Sequence, residues 1–319
     1  MPEVTVIIPN YNGRSYLEIC LAALERQTFS DKKIIVVDNG SADGSAEWVR
    51  RQYPQAEVLA LEKNYGFCGA VNRGVQAADS PYVLLLNNDT EPEPEFVEQL
   101  VAGIRSQGDV FSCQAKLLDY RDRERIDDAG DYYCALGWAF ARGRGQPKAR
   151  CRRQDDIFAA CGGAAIYRRA VFQELGGLDE RHFAYLEDID LGYRARIQGY
   201  RNLFVPRAQV YHVGSATTGS RYNGWKVRMA ARNSLYLAFK NMPLAQLILN
   251  GPLLLLGIIL KILFFSKKHL GKAYLQGVIQ GFSLCKREYK VPYQRKNWKN
   301  YCKIQLELWR NIGFRLRKF

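Results

Sequence analysis

Short runs of consecutive apolar residues alternate with helix-like segments along the first third of the chain. Four such runs, each closed by a turn or by polar residues, lie at residues 4–8, 34–37, 58–61 and 82–86. Runs of this length, rich in β-branched residues, are typical of buried strands. Because strands that are apolar on both faces need helices on both sides, the pattern predicts an α/β fold with a mostly parallel sheet.

The segments between these runs predict helices. Ser15 precedes apolar residues at positions 17, 20, 21 and 24, and we expect it to cap the first helix. Ser45 opens a second, short helix, and residues 69–78 form a third. In sheets of this type ligands bind beyond the carboxyl ends of the strands, and Asp38 and Asp89 both follow such ends.

The second half of the chain is less regular. Residues 116–156 mix charges, glycines and aromatics without a period, and we expect them to cross the surface. Ordered structure returns at residues 157–166, and a helix is expected at 168–175. Glu187 is expected to begin a further helix that ends near residue 198, with short strands at 203–205 and 210–211 before His212.

The last quarter changes character. Residues 244–265 are dominated by Leu, Ile and Phe, and a stretch of this length can span a bilayer. Asn250, Pro252 and Lys261 are unfavourable in hydrocarbon. We therefore rank a helix lying in the membrane interface first, a true span second, and the buried helix of a small C-terminal domain third.

Charge separates the two regions further. The chain of 319 residues has a net charge of +14, and residues 241–319 alone carry 15 Lys/Arg against 2 Asp/Glu. These basic residues are interleaved with aromatic ones, which favours contact with an anionic membrane surface. Nucleic acid is not expected as a partner, because no nucleic-acid-binding motif accompanies the basic residues.

Composition excludes several classes of protein. With 47% apolar and 24% charged residues, the chain is neither disordered nor a disulfide-stapled miniprotein. The eight cysteines form no C-x-x-C pair and no cluster with zinc spacing, so we expect free thiols in a reducing cytosol. The first residues lack the basic and apolar pattern of a secretory signal.

Carboxylates that follow strands are the first candidates for chemistry. Asp38 is positioned to reach a ligand, or alternatively to hold the turn at Asn39 and Gly40. Asn87, Asn88 and Asp89 are three consecutive oxygen-bearing side chains at a strand end, a pattern that suits a divalent cation bound with a diphosphate. The alternative for Asp89 is to cap the helix that follows.

A second acidic cluster contains Glu187, Asp188 and Asp190. Their mutual repulsion and partial burial are expected to raise at least one pKa, as a general base at neutral pH requires. The alternative is that they are simply the acidic first turn of a helix, balanced by Arg194 and Arg196.

Two further features allow more than one interpretation. His212 ends a strand and is either a structural partner or a ligand. The glycine-containing segments that begin at Asn64 and Asn72 cradle a nucleotide or serve packing alone.

Taken in order, these features resemble family 2 glycosyltransferases, and more closely their bacterial rhamnosyltransferase-like branch. The resemblance covers roughly residues 4–241. The motifs that carry it are PNYN (9–12), VVDNGSADGS (36–45), NYGFCGAVNRG (64–74), LLLNNDT (84–90), CGGAAIYRR (161–169) and FAYLEDIDLGYRARIQGY (183–200).

The resemblance implies a GT-A fold and an inverting single displacement from a nucleotide sugar. It assigns Asp38 to the nucleobase, with Pro9 and Tyr11 beside it. Asp188 matches the base that deprotonates the acceptor hydroxyl, and Asp89 matches the last acid of the metal-binding D-x-D motif.

The same resemblance suggests His212 as a second metal ligand and Mg²⁺ or Mn²⁺ as the cofactor. The D-x-D motif is Asn87-Asn88-Asp89 in this chain, so only one carboxylate remains for the metal. Asn88 is left to contact the donor by hydrogen bonds, together with Asn64 and Asn72. Glu187, Gly162 and Gly163 are assigned to the acceptor side or to its support.

These observations predict a glycosyltransferase at the cytoplasmic face of the cytoplasmic membrane. It moves a sugar, with dTDP-rhamnose as one candidate donor, to a glycan or polyprenyl-linked acceptor of a cell-envelope polysaccharide. The predicted catalytic domain is 1–240, with a donor half at about 1–115 and an acceptor half at about 157–240. Residues 241–319 are the membrane-associating region.

Two alternatives to this function stay open at this point. A sugar nucleotidyltransferase shares the α/β design, but it needs a Gly-rich basic loop after the first strand, which residues 9–12 lack. A non-enzymatic binding protein for membranes or nucleic acid would have no use for the acidic clusters.

Overall fold

A computed structural model describes residues 1–214 and 222–316 of the chain. The strands are β1 (Val4–Asn10), β2 (Lys32–Asp38), β3 (Glu57–Ala60), β4 (Tyr82–Leu86), β5 (Thr90–Pro92), β6 (Val110–Asp119), β7 (Ile126–Asp128), β8 (Asp131–Cys134), β9 (Trp138–Ala141), β10 (Asp155–Ile157), β11 (Ala164–Arg168) and β12 (Arg201–His212). The α-helices are α1 (Arg14–Glu25), α2 (Ser45–Gln52), α3 (Gly66–Ala77), α4 (Phe96–Arg105), α5 (Arg169–Glu174), α6 (Glu187–Ile197), α7 (Gly224–Asn241), α8 (Leu244–Ser266), α9 (Gly271–Leu284) and α10 (Trp298–Leu316).

A ten-stranded sheet forms the centre of the fold. Its strand order is β10-β12-β6-β11-β4-β1-β2-β3, with β5 paired to β12 and β7 paired to β6. β1 is parallel to β2 and β4, and β3 is parallel to β2, so the four predicted strands form one parallel block. Val6 and Ile8 pack into the core on one face and Ile7 into the core on the other, as expected for a sheet covered on both sides.

The start of α1 differs from the sequence prediction. The helix begins at Arg14, so Ser15 lies inside it and does not cap it. The backbone N–H of Arg14 donates to Oδ2 of Asp43 at 3.0 Å. A carboxylate from the turn after β2 therefore satisfies this first helical donor, and no local serine cap is needed.

The second half adds antiparallel pairing to the sheet. β11 lies between β4 and β6 and is antiparallel to both, whereas β12 is parallel to β6. The two short strands predicted at 203–205 and 210–211 are parts of β12, whose register shifts between Val205 and Gln209. Pro206 lies within this irregular stretch, where its missing N–H breaks no ladder bond.

Residues 116–156 form the predicted surface excursion only in part, because 121–125, 144–147 and 152–156 are exposed whereas 116–118 and 133–137 are buried. Tyr133, Cys134 and Ala135 are fully buried. The N–H of Ala135 donates to the carbonyl of Leu308 at 3.1 Å, and Asn311 Nδ2 donates to the carbonyl of Tyr133, 178 positions away, at 2.9 Å. The burial comes from α10, and no local pattern in the sequence reveals such a distant partner.

The helices after residue 241 pack against the region that precedes them. α9 crosses α7 closely at Gly277. A Cβ added there would lie 2.2 Å from the carbonyl oxygen of Arg228, so only glycine fits this crossing. Ile304 and Leu308 of α10 are buried in a core shared with α6 and α7. The domain boundary expected after residue 240 stays a prediction, but the elements beyond it are in contact with the region before it.

α8 is the one helix, within the described residues, that is long and apolar enough to cross a membrane. Its polar residues face the protein: Gln246 donates to the carbonyl of Tyr301 at 2.9 Å, and Asn250 exchanges hydrogen bonds with Gln305. Only 11% of its apolar window is buried. The interpretation of this segment as a buried helix is therefore wrong. The exposed apolar side chains of α8 are Leu244, Ile248, Leu249, Leu255, Leu256, Ile259, Leu260, Leu263 and Phe264.

Two glycines of α8 provide a matched test of this packing. A Cβ at Gly257 would lie 2.1 Å from the backbone oxygen of Leu136, whereas a Cβ at Gly251 has no atom within 4 Å. Gly251→Ala should raise the thermal midpoint, because alanine is favoured over glycine in a helix by about 0.5–1 kcal/mol. Gly257→Ala should lower it by several degrees when unfolding is followed in detergent. Equal effects of the two substitutions would contradict the packing of α8 on Leu136.

Candidate active site

A cavity of about 630 Å³ opens at the carboxyl ends of β1, β2 and β4. This is the position that the sequence predicts for a ligand site. The predicted site residues that line the cavity are Pro9, Tyr11, Asn64, Asn88, Asp89, Gly162, Gly163, Glu187, Asp188 and His212. Asp38 and Asn72 are not among the lining residues.

Asp38 closes the turn that follows β2. Its Oδ1 accepts from Asn10 Nδ2 at 3.1 Å and from Ser45 Oγ at 3.3 Å, and its Oδ2 accepts from the N–H of Ser41 at 3.2 Å. Asp38 therefore holds the turn at Asn39 and Gly40, which is the alternative given for it in the sequence. Its contact with a nucleobase stays a prediction.

Asn39 lines the cavity instead and holds the segment that contains Asn64. Its Nδ2 donates to Oδ1 of Asn64 at 3.0 Å and to the carbonyl of Gly66 at 3.1 Å. Its Oδ1 accepts from the N–H of Tyr65 at 2.9 Å. These bonds fix the chain that leads into α3 and explain why Asn64 reaches the cavity.

Asn72 lies on α3 and turns towards a different partner. Its Nδ2 donates to the carbonyl of Leu178 at 2.8 Å, and its Oδ1 accepts from the N–H of Leu178 at 2.9 Å. Both ends of the amide are thus used to fasten α3 to this loop. The structure does not place Asn72 at the cavity, and its contact with the donor stays a prediction.

Asp89 and His212 meet at the cavity although they are far apart in sequence. β12 pairs with β5 so that His212 lies opposite Thr90. His212 Nε2 is consequently 3.4 Å from Oδ1 of Asp89. The two side chains that the resemblance suggests as metal ligands are therefore neighbours at one site, and their binding of a metal stays a prediction.

A third residue, Asp127, completes this group and was missed in the sequence. Its Oδ2 lies 2.8 Å from Nδ1 of His212. Burial lowers the pKa of His212, but the two carboxylates outweigh it and raise the pKa to about 10. A carboxylate on Nδ1 fixes the imidazole and directs Nε2 at whatever lies beside Asp89.

The donor set fits a divalent cation. One carboxylate of Asp89 and the Nε2 of His212 are two ligands that a cation such as Mn²⁺ accepts. Asn88 Nδ2 donates to Asn10 Oδ1 at 2.7 Å, which holds the Asn87–Asp89 segment against the end of β1. The site thus has a fixed position even with one carboxylate in place of two.

Glu187 and Asp188 begin α6 and face the same cavity. Burial raises the pKa of Glu187 to about 8, and the neighbouring Asp188 charge adds to this. Burial also raises the pKa of Asp188 to about 6, although backbone N–H groups, including that of Gly162, oppose the shift. The expectation of a raised pKa in this cluster is confirmed. Within the described residues, Oε2 of Glu187 has no hydrogen-bond partner.

Asp190 is chemically unlike its two neighbours. Burial alone would raise its pKa, but Arg194 and Lys240 hold the pKa well below the usual range. Arg194 Nη2 lies 2.7 Å and Lys240 Nζ 2.9 Å from its Oδ2, and Asn241 Nδ2 donates to its Oδ1 at 2.8 Å. The alternative of a charge-balanced helix start is therefore realised at Asp190. The other expected partner, Arg196, pairs with Glu307 of α10.

Two more acids line the cavity without having been singled out in the sequence. Burial raises the pKa of Asp128 to about 7 and that of Asp131 well above its usual value. Asp128 Oδ1 accepts from Gln114 Nε2 at 2.9 Å. The acidic run at 127–131, set between apolar residues, was the available signal for both.

Comparison with known proteins points to one family. The model of glycosyl transferase family 2 matches residues 5–176, more than half of the chain. The N-acetylglucosaminyl-diphospho-decaprenol L-rhamnosyltransferase of Mycobacterium tuberculosis is 28% identical over 241 residues, which cover 67% of this chain and 77% of that protein.

Solved structures show the same fold at low identity. The mannosyltransferase PcManGT from Pyrobaculum calidifontis, in complex with GDP-Man and Mn²⁺, superposes with a TM-score of 0.56 at 16% identity over 88% of this chain and 87% of that one. GalNAc-T7 with UDP, GalNAc and Mn²⁺ gives 0.61 at 18% identity, over 75% of this chain and 48% of that one. The expected GT-A fold is confirmed.

Proposed function

The chain belongs to glycosyl transferase family 2 and is a glycosyltransferase, and on this premise we propose that it transfers a sugar with inversion from a nucleoside-diphosphate sugar. The acceptor in this proposal is a hydroxyl of a polyprenyl-linked glycan of the cell envelope. The observation that carries the proposal is one cavity lined by both the Asp89–His212 pair and the Glu187–Asp188 pair. A sugar nucleotidyltransferase or a non-enzymatic binding protein would leave this pairing unexplained.

In this proposal the donor lies along the carboxyl ends of the strands β1, β2 and β4. Pro9, Tyr11 and Asn64 line the nucleotide end of the cavity, and the diphosphate reaches Asp89 and His212. These two residues would hold Mg²⁺ or Mn²⁺, which supplies positive charge against the charge that develops on the leaving diphosphate. A dTDP-rhamnose donor is the specific candidate, and its rhamnosyl group is supported by the mycobacterial relative, which is named as a rhamnosyltransferase.

Asp188 acts as the general base in this proposal. It accepts the proton of the acceptor hydroxyl while that oxygen bonds to the anomeric carbon and the diphosphate leaves with the bonding electron pair. At neutral pH the raised pKa of Glu187 keeps that carboxyl largely protonated, whereas Asp188, with the lower pKa, is ionised. Two adjacent carboxyl groups with separated pKa values are thus available for different tasks.

The acceptor side supports a lipid-linked substrate. The relative from Mycobacterium tuberculosis is named for an acceptor on diphospho-decaprenol. α8 contacts the protein along Gln246, Asn250 and Gly257, and it exposes Leu and Ile side chains on its other side. A helix packed along its length in this manner fits the plane of the interface at the cytoplasmic face better than a bilayer crossing.

The base assignment predicts different outcomes for two neighbouring substitutions. Asp188→Asn should lower kcat by about 10²–10⁴-fold, because it removes the base. Glu187→Gln should keep at least ten times more activity than Asp188→Asn, because the amide imitates the protonated carboxyl. In the unmodified chain kcat should rise with pH through about 6, since Asp188 must lose its proton.

These rates are measured with donor in excess, and binding of the nucleoside diphosphate serves as the control for folding. Near-normal turnover of Asp188→Asn would remove Asp188 from the mechanism. Inactive Glu187→Gln beside active Asp188→Asn would move the base to Glu187.

The metal assignment is tested by calorimetry of nucleoside diphosphate binding with and without Mn²⁺. Asp89→Ala should abolish the increase in affinity that Mn²⁺ produces. His212→Ala should reduce this increase less, because His212 must give up its Nε2 proton to bind the cation and then contributes no charge to it. A Mn²⁺ effect that survives Asp89→Ala unchanged would contradict the site.

Membrane binding is tested on the full chain, because α10 is part of the core. Leu256→Gln combined with Leu263→Gln should strongly reduce sedimentation with vesicles that contain anionic lipid, since it removes apolar contact from the exposed side of α8. Unmodified protein should stay bound in high salt, which screens the charge contribution alone. Unchanged nucleotide binding shows that the variant is folded, and unchanged sedimentation would contradict the docking of α8.

A further inference from the structure

The loop that leads to the Glu187–Asp188 pair has a strained backbone. Phe183, Tyr185 and Leu186 have φ angles of 62°, 72° and 69°. Leu186 lies in the left-handed region, and Phe183, with a ψ of −58°, lies in the rare γ-turn region. Residues with a Cβ rarely adopt a positive φ, and each such residue costs about 1–3 kcal/mol. A conformation of this kind persists only where surrounding contacts hold it. The loop, residues 182–186, directly precedes α6 and lines the cavity.

Asn233 of α7 supplies these contacts. Its side chain is fully buried. Its Nδ2 lies 2.9 Å from the carbonyl oxygen of His182, 2.8 Å from that of Ala184 and 2.7 Å from that of Tyr185. An amide nitrogen carries two hydrogens, so the three carbonyls share them. The Asn233 side chain therefore contacts three of the five backbone carbonyls of the loop.

The neighbouring Arg232 orients this amide. Its Nε donates to Oδ1 of Asn233 at 2.9 Å. Its Nη2 donates to the carbonyls of Arg181 at 2.7 Å and His182 at 2.9 Å. Because Oδ1 is occupied by a cationic donor, the Nδ2 end of the amide is directed at the loop and an amide flip is disfavoured.

The opposite side of the loop rests on the donor half of the protein. A Cβ at Gly66 would lie 2.5 Å from the ring of Phe183, and the N–H of Cys68 donates to the carbonyl of Phe183 at 3.2 Å. Trp225 of α7 packs against the rings of Phe183 and Tyr185 at 6.3 and 5.8 Å. The loop is thus held between the start of α3 and α7.

We propose that Asn233 is a positioning residue of the transfer reaction, which acts by holding the loop 182–186 in the conformation with positive φ at Phe183, Tyr185 and Leu186. The loop fixes where α6 begins, and it thereby places Asp188 at the cavity. The inference rests on the proposed function in one respect, the role of Asp188 as the base. Asn233 itself is fully buried and is not among the residues that line the cavity.

A change at Asn233 should affect the loop without detaching α6. Asp190, one helical turn into α6, is bound independently by Lys240 and Asn241 of α7. α6 and α7 are therefore also joined by bonds that Asn233 does not make, although His182 of the loop lies 3.9 Å from Asp190. For this reason a folded variant with a displaced Asp188 is the expected product of the substitution.

Asn233→Ala and Asn233→Asp test this proposal in the full chain. Both should lower kcat by about 10–100-fold, because small displacements of a catalytic group have effects of this size. The aspartate variant keeps the size of the side chain but has no donor for the three carbonyls. The affinity for nucleoside diphosphate should stay within about twofold, since the donor end of the cavity is not altered.

The pH profile separates positioning from a merely structural role. A relaxed loop admits water to Asp188, so its pKa should fall and the acid limb of kcat should move to lower pH. Ser234→Ala is the matched control, because it removes a hydrogen bond of 2.6 Å from the same helix to the carbonyl of Gly137, away from the loop. This control should keep the kcat and the pH profile of the unmodified chain.

Three results would overturn the inference: a kcat of Asn233→Ala within twofold of normal, full activity of Asn233→Asp, or equal losses in Asn233→Ala and Ser234→Ala. A loss of nucleotide affinity as large as the loss of kcat would also overturn it, since it would mean general unfolding. Failure of the proposed function is distinguishable, because in that case Asp188→Asn itself retains turnover.

Discussion

The buried charge of Asp190 is the interaction on which the arrangement of the active site depends. It lies where α6 meets α7 and is balanced by Arg194 and Lys240, with Asn241 completing its hydrogen bonds. Removing one partner of such a buried group leaves an uncompensated charge, which typically costs about 3–5 kcal/mol. Because α7 continues into α8, this single carboxylate links the catalytic helix to the segment that we expect at the membrane.

The environment around α6 gives three neighbouring carboxyl groups three different properties. Asp190 is surrounded by cations and stays ionised, whereas Glu187 is buried without a cation and its pKa rises to about 8. Asp188 lies between these extremes at about 6, since backbone N–H groups partly offset its burial. Arg194 and Lys240 distinguish Asp190 from the other two acids. Backbone N–H groups give Asp188 the lower pKa of the remaining pair.

Much of the donor half could be predicted from the sequence because its determinants are local. The strands β1 to β4 are continuous apolar runs, and the polar residues that follow them, such as Asp89, reach the cavity because parallel strands end at one edge. His212 was found through the family resemblance, and the pairing of β12 with β5 explains its place beside Asp89.

The residues that the sequence did not reveal depend on distant contacts. Asp127 acquires its role when β7 brings it to His212, 85 positions later in the chain. Asn72 looked like a ligand residue, but its amide is used by Leu178. Asn233 lies in none of the motifs quoted above. Its proposed positioning role follows from its contacts with a loop about 50 positions earlier, in which three residues have positive φ angles. Sequence periodicity reports which face of an element is buried, and it does not report which distant side chain covers that face.

The central claim is that one base, Asp188, activates an acceptor for direct displacement at the anomeric carbon. The most direct test is the anomeric configuration of the first product, determined by NMR from the one-bond carbon–hydrogen coupling and compared with that of the donor sugar. Inversion is expected, with the new bond on the face opposite to the departing diphosphate. Retention of configuration would contradict direct displacement, because retention by double displacement requires a covalent nucleophile on the protein.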